Sequence, residues 1–307
     1  MIQDIGSLGG PDTLPGASCS GQPHDVVVGA SYTSFTPNAS TGIPTIDPFL
    51  WKSGKMIDLG NLGGTLSVGA QCANNRGQII GQSNLVGDAV SHAFFWENGV
   101  ITDLGTIGGD NSEAIWLNDA GVVVGSADRP GSQIHDAVVW INGKVHDLGT
   151  VGGDLCSRGR GLNARGQVVG LSSDCFNALH AFVWEEGGPM LDLNTLIAPG
   201  SGLQLTRAIN INDRGEILAA ADPLGVTPID DADLGHLVLL VPCDADKNEG
   251  CGDNVESTNN VAQRSPALVN SPTTSPQRRL TPKESVAAWR TQMMRRYHFA
   301  ALGTPKD

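Results

Sequence analysis

Long apolar runs, basic residues and aromatic side chains are all scarce in this sequence. No stretch approaches the roughly 18 apolar residues of a membrane-spanning helix. Lys and Arg total 19 against 32 Asp and Glu, and aromatic residues make up 5% of the 307 positions. Such an acidic chain is a poor partner for nucleic acids and anionic membranes, because both carry negative charge themselves. We therefore expect no transmembrane segment and no nucleic acid partner.

Cysteine motifs that would bind zinc or form a redox centre are also missing, although the chain has six cysteines. Two pairs are separated by a short predicted hairpin or loop, namely Cys156 with Cys175 and Cys243 with Cys251. Cys19 and Cys72 occupy similar places in adjacent repeats, and the sequence leaves open whether they pair. An even count with two local pairs favours disulfides, and hence an oxidising compartment, over free buried thiols.

A secretion signal is missing from the start of the chain. Residues 1–6 have neither the basic segment nor the apolar core of a signal peptide. The chain is therefore either cytosolic or a mature or truncated form. The cysteine pattern favours the second alternative and predicts a secreted, extracellular protein.

Repetition is abundant in the chain. A motif that ends in Trp and an Asp-Leu-Gly or Asp-Leu-Asn motif recur together four times, at intervals of 44 or 45 residues. The aspartates that open the second motif are Asp58, Asp103, Asp147 and Asp192. A period of this length indicates one supersecondary unit per repeat, each unable to bury its apolar surface alone.

Each repeat reads as four short strands. In the third repeat, strands are predicted at residues 114–117, 122–124, 137–140 and 144–148. An Asn-x-x-Gly turn joins the first two strands, and Asn142-Gly143 forms a hairpin turn between the last two. Four antiparallel strands every ~45 residues are typical of an all-β fold built from β-propeller blades.

The two ends of the repeat region predict a closed ring of five four-stranded blades. The chain opens on residues 2–6, which resemble a fourth strand without the first three. It closes on a repeat at residues 205–241 that lacks its fourth strand. The N-terminal strand would complete the last blade and leave no long free sheet edge. A solenoid is the alternative, but it requires capping repeats at both ends, and none is visible.

The sequence divides into four regions. They are the propeller (1–243), a polar loop and disordered linker (244–280), an amphipathic basic helix (281–298) and a flexible tail (299–307). The linker is rich in Asn, Ser, Thr and Pro. The helix begins at the capping box Thr281-Pro282-Lys283-Glu284. Residues 1–252 carry 28 acidic and 11 basic side chains, whereas residues 253–307 carry 4 and 8.

Near-identical copies of two motifs carry a resemblance to a known family. They read HAFFW (92–96), HAFVW (180–184), DLGTIGG (103–109) and DLGTVGG (147–153). In these motifs the chain resembles the HAF-repeat family of bacterial extracellular proteins, named after its His-Ala-Phe triplet. The resemblance covers about residues 2–242 and implies secretion and a repeat domain, but no catalytic residues. The triplet is replaced at 47–49, 136–138 and 236–238.

Two sets of residues are candidates for ligand binding. Small and large residues alternate along the predicted first strands. Four residues do not fit this alternation and would line a channel or a binding mouth: Gln71, Trp116, Arg160 and Asn210. The second set lies in the long loops between second and third strands: Tyr32, Phe35, Asp230, Asp231 and Asp233. Variable loops on a rigid scaffold are frequent binding sites.

The placement of histidines and aspartates along the repeats disfavours a metal site. Three histidines open third strands in different blades: His92, His180 and His236. Because they would be spread around the ring, a hydrogen bond to a neighbouring loop is the expected role of each. The calcium candidate is the set Asp244, Asp246 and Asn248. Its sixth position is Glu249 where a calcium loop needs Gly. We expect no metal and no cofactor.

Three carboxylates near the starts of first strands favour a second hypothesis, a carbohydrate-active hydrolase on the same ring: Asp110, Glu113 and Asp154. An enzyme would normally break its repeat symmetry at the site, and aromatic residues that stack on sugars are few. The sequence therefore favours a monomeric, non-catalytic secreted module for binding, adhesion or scaffolding. Its ligand would be a carbohydrate or a cell-surface protein.

Overall fold

The computed structural model describes residues 4–16, 23, 25–131, 134–197, 200–226 and 236–242. The chain divides into two compact units, Met1–Thr195 with Gly200–Val241 and Leu196–Pro199 with Pro242–Asp307. All the strands below belong to the first unit. The predicted linker, C-terminal helix and tail lie outside the described residues.

The fold of the described residues is all-β, with five antiparallel sheets that follow one another along the chain. The first sheet contains β1 (Thr13–Pro15), β2 (Val26–Tyr32), β3 (Ile46–Lys52) and β4 (Lys55–Asp58). The second contains β5 (Gly63–Ala73), β6 (Ile79–Leu85), β7 (Ser91–Glu97) and β8 (Val100–Asp103). The third contains β9 (Ser112–Leu117), β10 (Val123–Asp128), β11 (His135–Ile141) and β12 (Lys144–Asp147). The last two are β13 (Cys156–Leu162), β14 (Val168–Ser173), β15 (Ala178–Trp184) and β16 (Leu191–Asp192), and then β17 (Leu203–Ile211), β18 (Ile217–Pro223) and β19 (His236–Leu240). A short 3-10 helix spans Leu193–Thr195.

Within each sheet the strands pair in sequence order, as the repeat pattern predicts. From the second sheet onwards, the first strand of each sheet packs on the second and third strands of the sheet before it. This succession of up-and-down sheets is propeller-like, and it confirms the predicted unit of four strands for the first four repeats.

The Phe of the His-Ala-Phe triplet packs on a glycine of the neighbouring strand. Phe94 pairs with Gly81 and Phe182 pairs with Gly170, and both rings are fully buried. A Cβ added to Gly81 would lie 2.7 Å from the Phe94 ring and 2.1 Å from a backbone carbonyl. The flat glycine surface thus lets the ring reach the preceding sheet, where Phe94 joins a core cluster with Leu50.

The Asn-x-x-Gly turns connect consecutive sheets through hydrogen bonds. The side-chain amide of Asn74 donates to the backbone carbonyl of Asn118 at 2.9 Å, and Asn118 donates likewise to Asn163 at 3.0 Å. Asn163 in turn donates to the carbonyl of Asn212 at 3.0 Å. The same asparagine side chains accept two backbone N–H groups of their own turns. One residue type therefore holds both the turn and the next sheet.

The described part of the last sheet has three strands, and Asp4 to Gly6 lie outside any strand. The predicted N-terminal strand at residues 2–6 therefore extends too far, because fourth strands elsewhere end at the aspartate equivalent to Asp4. Residues 2 and 3 lie outside the described residues, so closure of the ring stays a prediction.

Candidate functional site

Each sheet has two distinct ends. At the loop end, defined as the end where second strands finish and third strands begin, the chain also crosses from one sheet to the next. At the turn end lie the Asn-x-x-Gly turns and the tight turns between third and fourth strands. The Asn-x-x-Gly turns of the second to fifth sheets are hydrogen-bonded in series, so the loops of these sheets leave on the same side. The first sheet adjoins the second at the loop end, where the side chain of Asn61 donates to Asp47.

The predicted binding residues separate between these ends. Tyr32 ends β2, and Phe35 lies in the loop that follows, so both are at the loop end. The four channel candidates lie on first strands instead, towards the turn end, and the set is Gln71, Trp116, Arg160 and Asn210. Asp230, Asp231 and Asp233 lie outside the described residues, as do the calcium candidates Asp244, Asp246 and Asn248.

The four first-strand candidates have structural surroundings. Trp116 packs against two core clusters at once and so fills the space between sheets. Gln71 and Arg160 are the extra residues of β-bulges, where the ladder shifts register. The Asn210 side chain accepts the N–H of Ile211 at 2.7 Å. Trp116 and Asn210 thus have partners within the protein.

Large apolar side chains are exposed at the loop end. Phe35 is 74% exposed, Val86 83% and Phe176 82%. Others at this end, each more than half exposed, are Leu155, Leu224 and Val226. Sequence reasoning selected Phe35 and overlooked Val86 and Phe176, although both occupy the same kind of loop between second and third strands. These exposed apolar side chains on several loops of one end are candidates for contact with a partner.

The loops that carry these side chains are held firmly in place. Cys156 and Cys175 form the predicted disulfide, with Cα atoms 5.0 Å apart, directly beside Phe176. The Asp174 carboxylate accepts the N–H groups of Phe176 and Asn177. Near Val86, the Asp88 carboxylate accepts the backbone N–H groups of Thr65 and Leu66 and the Thr65 hydroxyl. Such anchoring lowers the entropy lost when a partner binds.

The remaining cysteine among the described residues, Cys72, is also disulfide-bonded. Its partner lies outside the described residues, because Cys156 and Cys175 pair with each other. The predicted Cys243–Cys251 pair lies outside them as well.

Charge is distributed very unevenly between the ends. Among the described residues, the Lys and Arg side chains near the loop end are Arg129, whose Nε and Nη2 both donate to the Asp136 carboxylate, and Arg158, which pairs with Glu113 near the start of β9. The aspartates at the same end number fourteen: Asp4, Asp12, Asp47, Asp58, Asp88, Asp103, Asp110, Asp128, Asp136, Asp147, Asp154, Asp174, Asp192 and Asp222. The loop end is therefore strongly acidic.

The first residue of the triplet finds a polar partner in each of the first four repeats. His92 Nδ1 lies 2.9 Å from the Asp103 carboxylate, and His180 Nδ1 lies 2.9 Å from Asp154. This confirms the hydrogen-bonding role predicted for these two histidines. His236 is exposed. Among the described residues, no group of three or more His, Cys, Asp or Glu side chains is placed to hold a metal ion.

Where the triplet begins with Asp instead of His, two carboxylates face each other. Burial raises the pKa of Asp47, a hydrogen bond from Asn61 opposes this, and the charge of Asp58 adds to the rise. Burial likewise raises the pKa of Asp147, and the charge of Asp136 adds to it. The repulsion is thus relieved by a local donor, Asn61 in one repeat and Arg129 in the other.

The carboxylates of the hydrolase hypothesis are engaged in different ways. Glu113 pairs with Arg158 of the next sheet at 3.2 Å, and Asp154 pairs with His180. Asp110 is exposed. Two of the three therefore bind protein partners rather than facing each other across an open site.

Comparison with known proteins gives distant structural similarities. No protein-family model matches the chain, and no curated protein matches it. The structure is similar to TolB from Acinetobacter baumannii, with a TM-score of 0.36 and 15% identity over 58% of this chain and 41% of that one. It is also similar to a gluconolactonase from Xanthomonas campestris, with a TM-score of 0.32 and 14% identity over 57% of this chain and 62% of that one.

The chain thus covers less than two thirds of either solved structure. Similarities this low carry no conclusion about its function. No helix among the described residues is long and apolar enough to cross a membrane.

Proposed function

We propose that this protein is a non-catalytic binding module that engages a partner through its loop end. The observation that carries the proposal is the exposure of Phe35, Val86 and Phe176 on anchored loops at the same end of the first, second and fourth sheets. Fully burying an aromatic or aliphatic side chain contributes roughly 1.5–3 kcal/mol, so a partner that covers these residues gains substantially. Rigid scaffolds with variable loops commonly bind in this way.

The hydrolase hypothesis receives less support. Glycoside hydrolysis needs two carboxyl groups that flank a sugar, one of them free to donate a proton. Glu113 and Asp154 are instead paired with Arg158 and His180. Turnover of a polysaccharide that is abolished by Glu113→Gln or Asp154→Asn would overturn the binding proposal in favour of an enzyme.

We further propose an extracellular location and membership of the HAF-repeat family. The Cys156–Cys175 disulfide supports an oxidising compartment. The burial of Phe94 and Phe182 against glycines gives the triplet a structural rather than catalytic meaning. Non-reducing peptide mapping of freshly secreted protein tests this, and two alkylatable thiols at Cys156 and Cys175 would contradict it.

We also propose that the N-terminal segment closes a five-bladed ring. Asp4 accepts the Gly6 N–H at 2.9 Å, as Asp58 accepts that of Gly60 at 2.8 Å. Leu8 N–H donates to Ser31 Oγ at 3.0 Å, as the equivalent Leu62 does to Ser83 at 3.1 Å. Residues 4–8 thus have the contacts that follow a fourth strand in other repeats.

The last sheet offers a place for that strand and for the first sheet. In β19, Leu237 and Leu239 are 58% and 50% exposed. Val139 in β11 and Val183 in β15 occupy the position equivalent to Leu239 in their own sheets, and both are fully buried under the next sheet. Deleting residues 1–8 should therefore lower the melting temperature sharply. An unchanged melting temperature would contradict closure by this strand.

The binding proposal is tested by capture of partners on the immobilised full-length protein. Phe35→Ser with Phe176→Ser should abolish capture, whereas Val100→Ser at the turn end should leave it intact. Val100 is 62% exposed and so is a matched apolar control. Equal capture by both variants would show that the loop end is not the binding surface.

A further inference from the structure

We infer that the partner of the loop end is a polypeptide segment that carries basic and apolar side chains together. This rests on the proposed binding function and adds the chemistry of the partner. It follows from two properties of the same surface, its exposed apolar side chains and its one-sided charge.

The charge belongs to the loop end rather than to the whole unit. The loop end has fourteen aspartates, and the two arginines near it, Arg129 and Arg158, are paired with Asp136 and Glu113. The described residues of the turn end instead carry acids and bases in near balance: Asp25, Glu97, Asp119, Glu185, Glu186, Asp213 and Glu216 against Lys52, Lys55, Arg76, Lys144, Arg165 and Arg214. A partner guided by charge is therefore attracted to one end only.

Several of the loop-end carboxylates reach solvent. Asp12 and Asp110 precede β1 and β9, and both residues are exposed. The Asp103 side chain is 41% exposed although it pairs with His92. These charges lie at the same end as the apolar residues, so a single ligand covering the loops would meet both. Lys and Arg side chains, with a charged head on an apolar stem, suit such a mixed surface.

The apolar component favours a polypeptide over a glycan. Besides two phenylalanines, the exposed set contains branched aliphatic residues such as Val86, Leu155 and Leu224. These residues offer neither the ring face on which a sugar stacks nor a hydrogen bond. Acidic glycans and anionic lipid headgroups would in addition be repelled by the aspartates.

The loop of residues 33–45 contributes apolar surface without any charge of its own. Its shape is fixed by hydrogen bonds from Thr33 N–H to the Thr45 carbonyl at 2.9 Å and from Asn38 N–H to the Ile43 carbonyl at 2.8 Å. Phe35 and Ile43 remain exposed on it. This loop thus adds apolar surface to the loop end, whose charges come from other segments.

The test measures binding of short labelled peptides to the full-length protein by fluorescence anisotropy. The probe is a peptide in which Arg and Leu alternate. Its matched controls replace Leu by Gly or Arg by Glu, and a neutral dextran serves as the glycan probe. We expect the Arg–Leu peptide to bind best and its affinity to fall with added salt, because screening weakens the charge component.

Paired variants separate the two components. Phe35→Ser with Phe176→Ser should weaken Arg–Leu binding about tenfold or more, from lost apolar burial. Asp12→Asn with Asp110→Asn should weaken it roughly two- to fivefold and flatten its salt dependence. The turn-end controls Val100→Ser and Glu186→Gln should change nothing, since Val100 and Glu186 are exposed at the opposite end.

The outcomes distinguish this inference from the proposed function. Equal binding of the Arg–Leu and Arg–Gly peptides, or indifference to the loop-end variants, would overturn the inference as unspecific attraction to an acidic protein. Dextran binding that the phenylalanine variants abolish would overturn the basic partner but keep the loop end as the binding surface. A captured partner whose binding only the turn-end variants reduce would overturn both.

Discussion

The turn end and the loop end of this protein are built on the same strands but under different constraints. At the turn end, Asn74, Asn118 and Asn163 each hold their own turn and the next sheet, so the sequence repeats closely. At the loop end, the connections differ in length and composition from repeat to repeat. We infer that the turn end, where the repeat sequences agree, contributes most to stability, and we expect binding at the loop end, where they differ.

The fourth repeat is the exception to this division, because its loop end is covalently closed. Replacing Cys156 and Cys175 with Ser should lower the free energy of unfolding by about 3 kcal/mol, from the loop entropy released over their separation of 19 residues. Urea unfolding of the double variant measures the change. If reduction of the wild-type protein leaves its stability unaltered, the disulfide has no such role.

Asparagine at the turn end should contribute more to the free energy of unfolding than asparagine at the loop end. Asn163→Ala removes the donor to Asn212 and the acceptor for two N–H groups at a buried site, at a cost of about 2 kcal/mol. Asn38→Ala removes one hydrogen bond, to the Ser40 N–H, and should cost less than about 0.5 kcal/mol. Thermal unfolding compares them, and equal losses would refute the division between the ends.

The facing carboxylates at the loop end predict a pH dependence. The pKa of Asp147 is raised above its ordinary 3.8, so the folded protein holds that proton more tightly than the unfolded chain does. The charged form therefore costs stability at neutral pH, and the cost disappears as pH falls through the raised pKa. Asp147→Asn should stabilise the protein at neutral pH by no more than about 1 kcal/mol, since the group is partly solvated.

The control for that variant is the repeat in which His92 replaces the first carboxylate. Asp103→Asn removes a favourable contact with His92 rather than a repulsion, so it should give no stabilisation. Melting temperatures measured across the acidic range decide the matter. A gain for Asp147→Asn that persists at low pH would show that charge repulsion is not its cause.

The smallest effect on stability is expected at the proposed binding residues. Phe35→Ser and Phe176→Ser should each change the free energy of unfolding by less than about 0.5 kcal/mol, because both rings are mostly solvent-exposed. Differential scanning fluorimetry is sufficient to test this. A large loss of stability would mean that these rings support the fold rather than a partner.

Much of the architecture was predictable because periodic motifs report local geometry. The four-stranded unit and the Cys156–Cys175 disulfide both follow from spacing along the chain. The surroundings of the channel candidates could not be predicted from spacing. Trp116 was selected for its size on a first strand, yet it packs between two core clusters, which residue spacing alone does not reveal.

The loop-end surface could be predicted only in part. Phe35 stood out because its loop is long, whereas Val86 and Phe176 lie in short loops that resemble simple turns. Their exposure depends on how the next sheet packs and on anchors such as Asp88 and Asp174. Aspartates far apart in sequence are likewise gathered at one end only when the sheets stack in the same orientation.

The sequence by itself determined the repeat, the strand order and the residues that each turn requires, because these depend on contacts within about 45 residues. Only the tertiary structure decided which side chains are buried between sheets, and that acidic and apolar groups share one end. Those properties arise from packing between repeats. Phe94, for example, packs on Gly81 of the neighbouring strand and contacts the apolar cluster of the preceding sheet. Short-range pattern cannot encode them: Val139 and Val183 are fully buried, whereas Leu239, at the equivalent register of the last sheet, is half exposed.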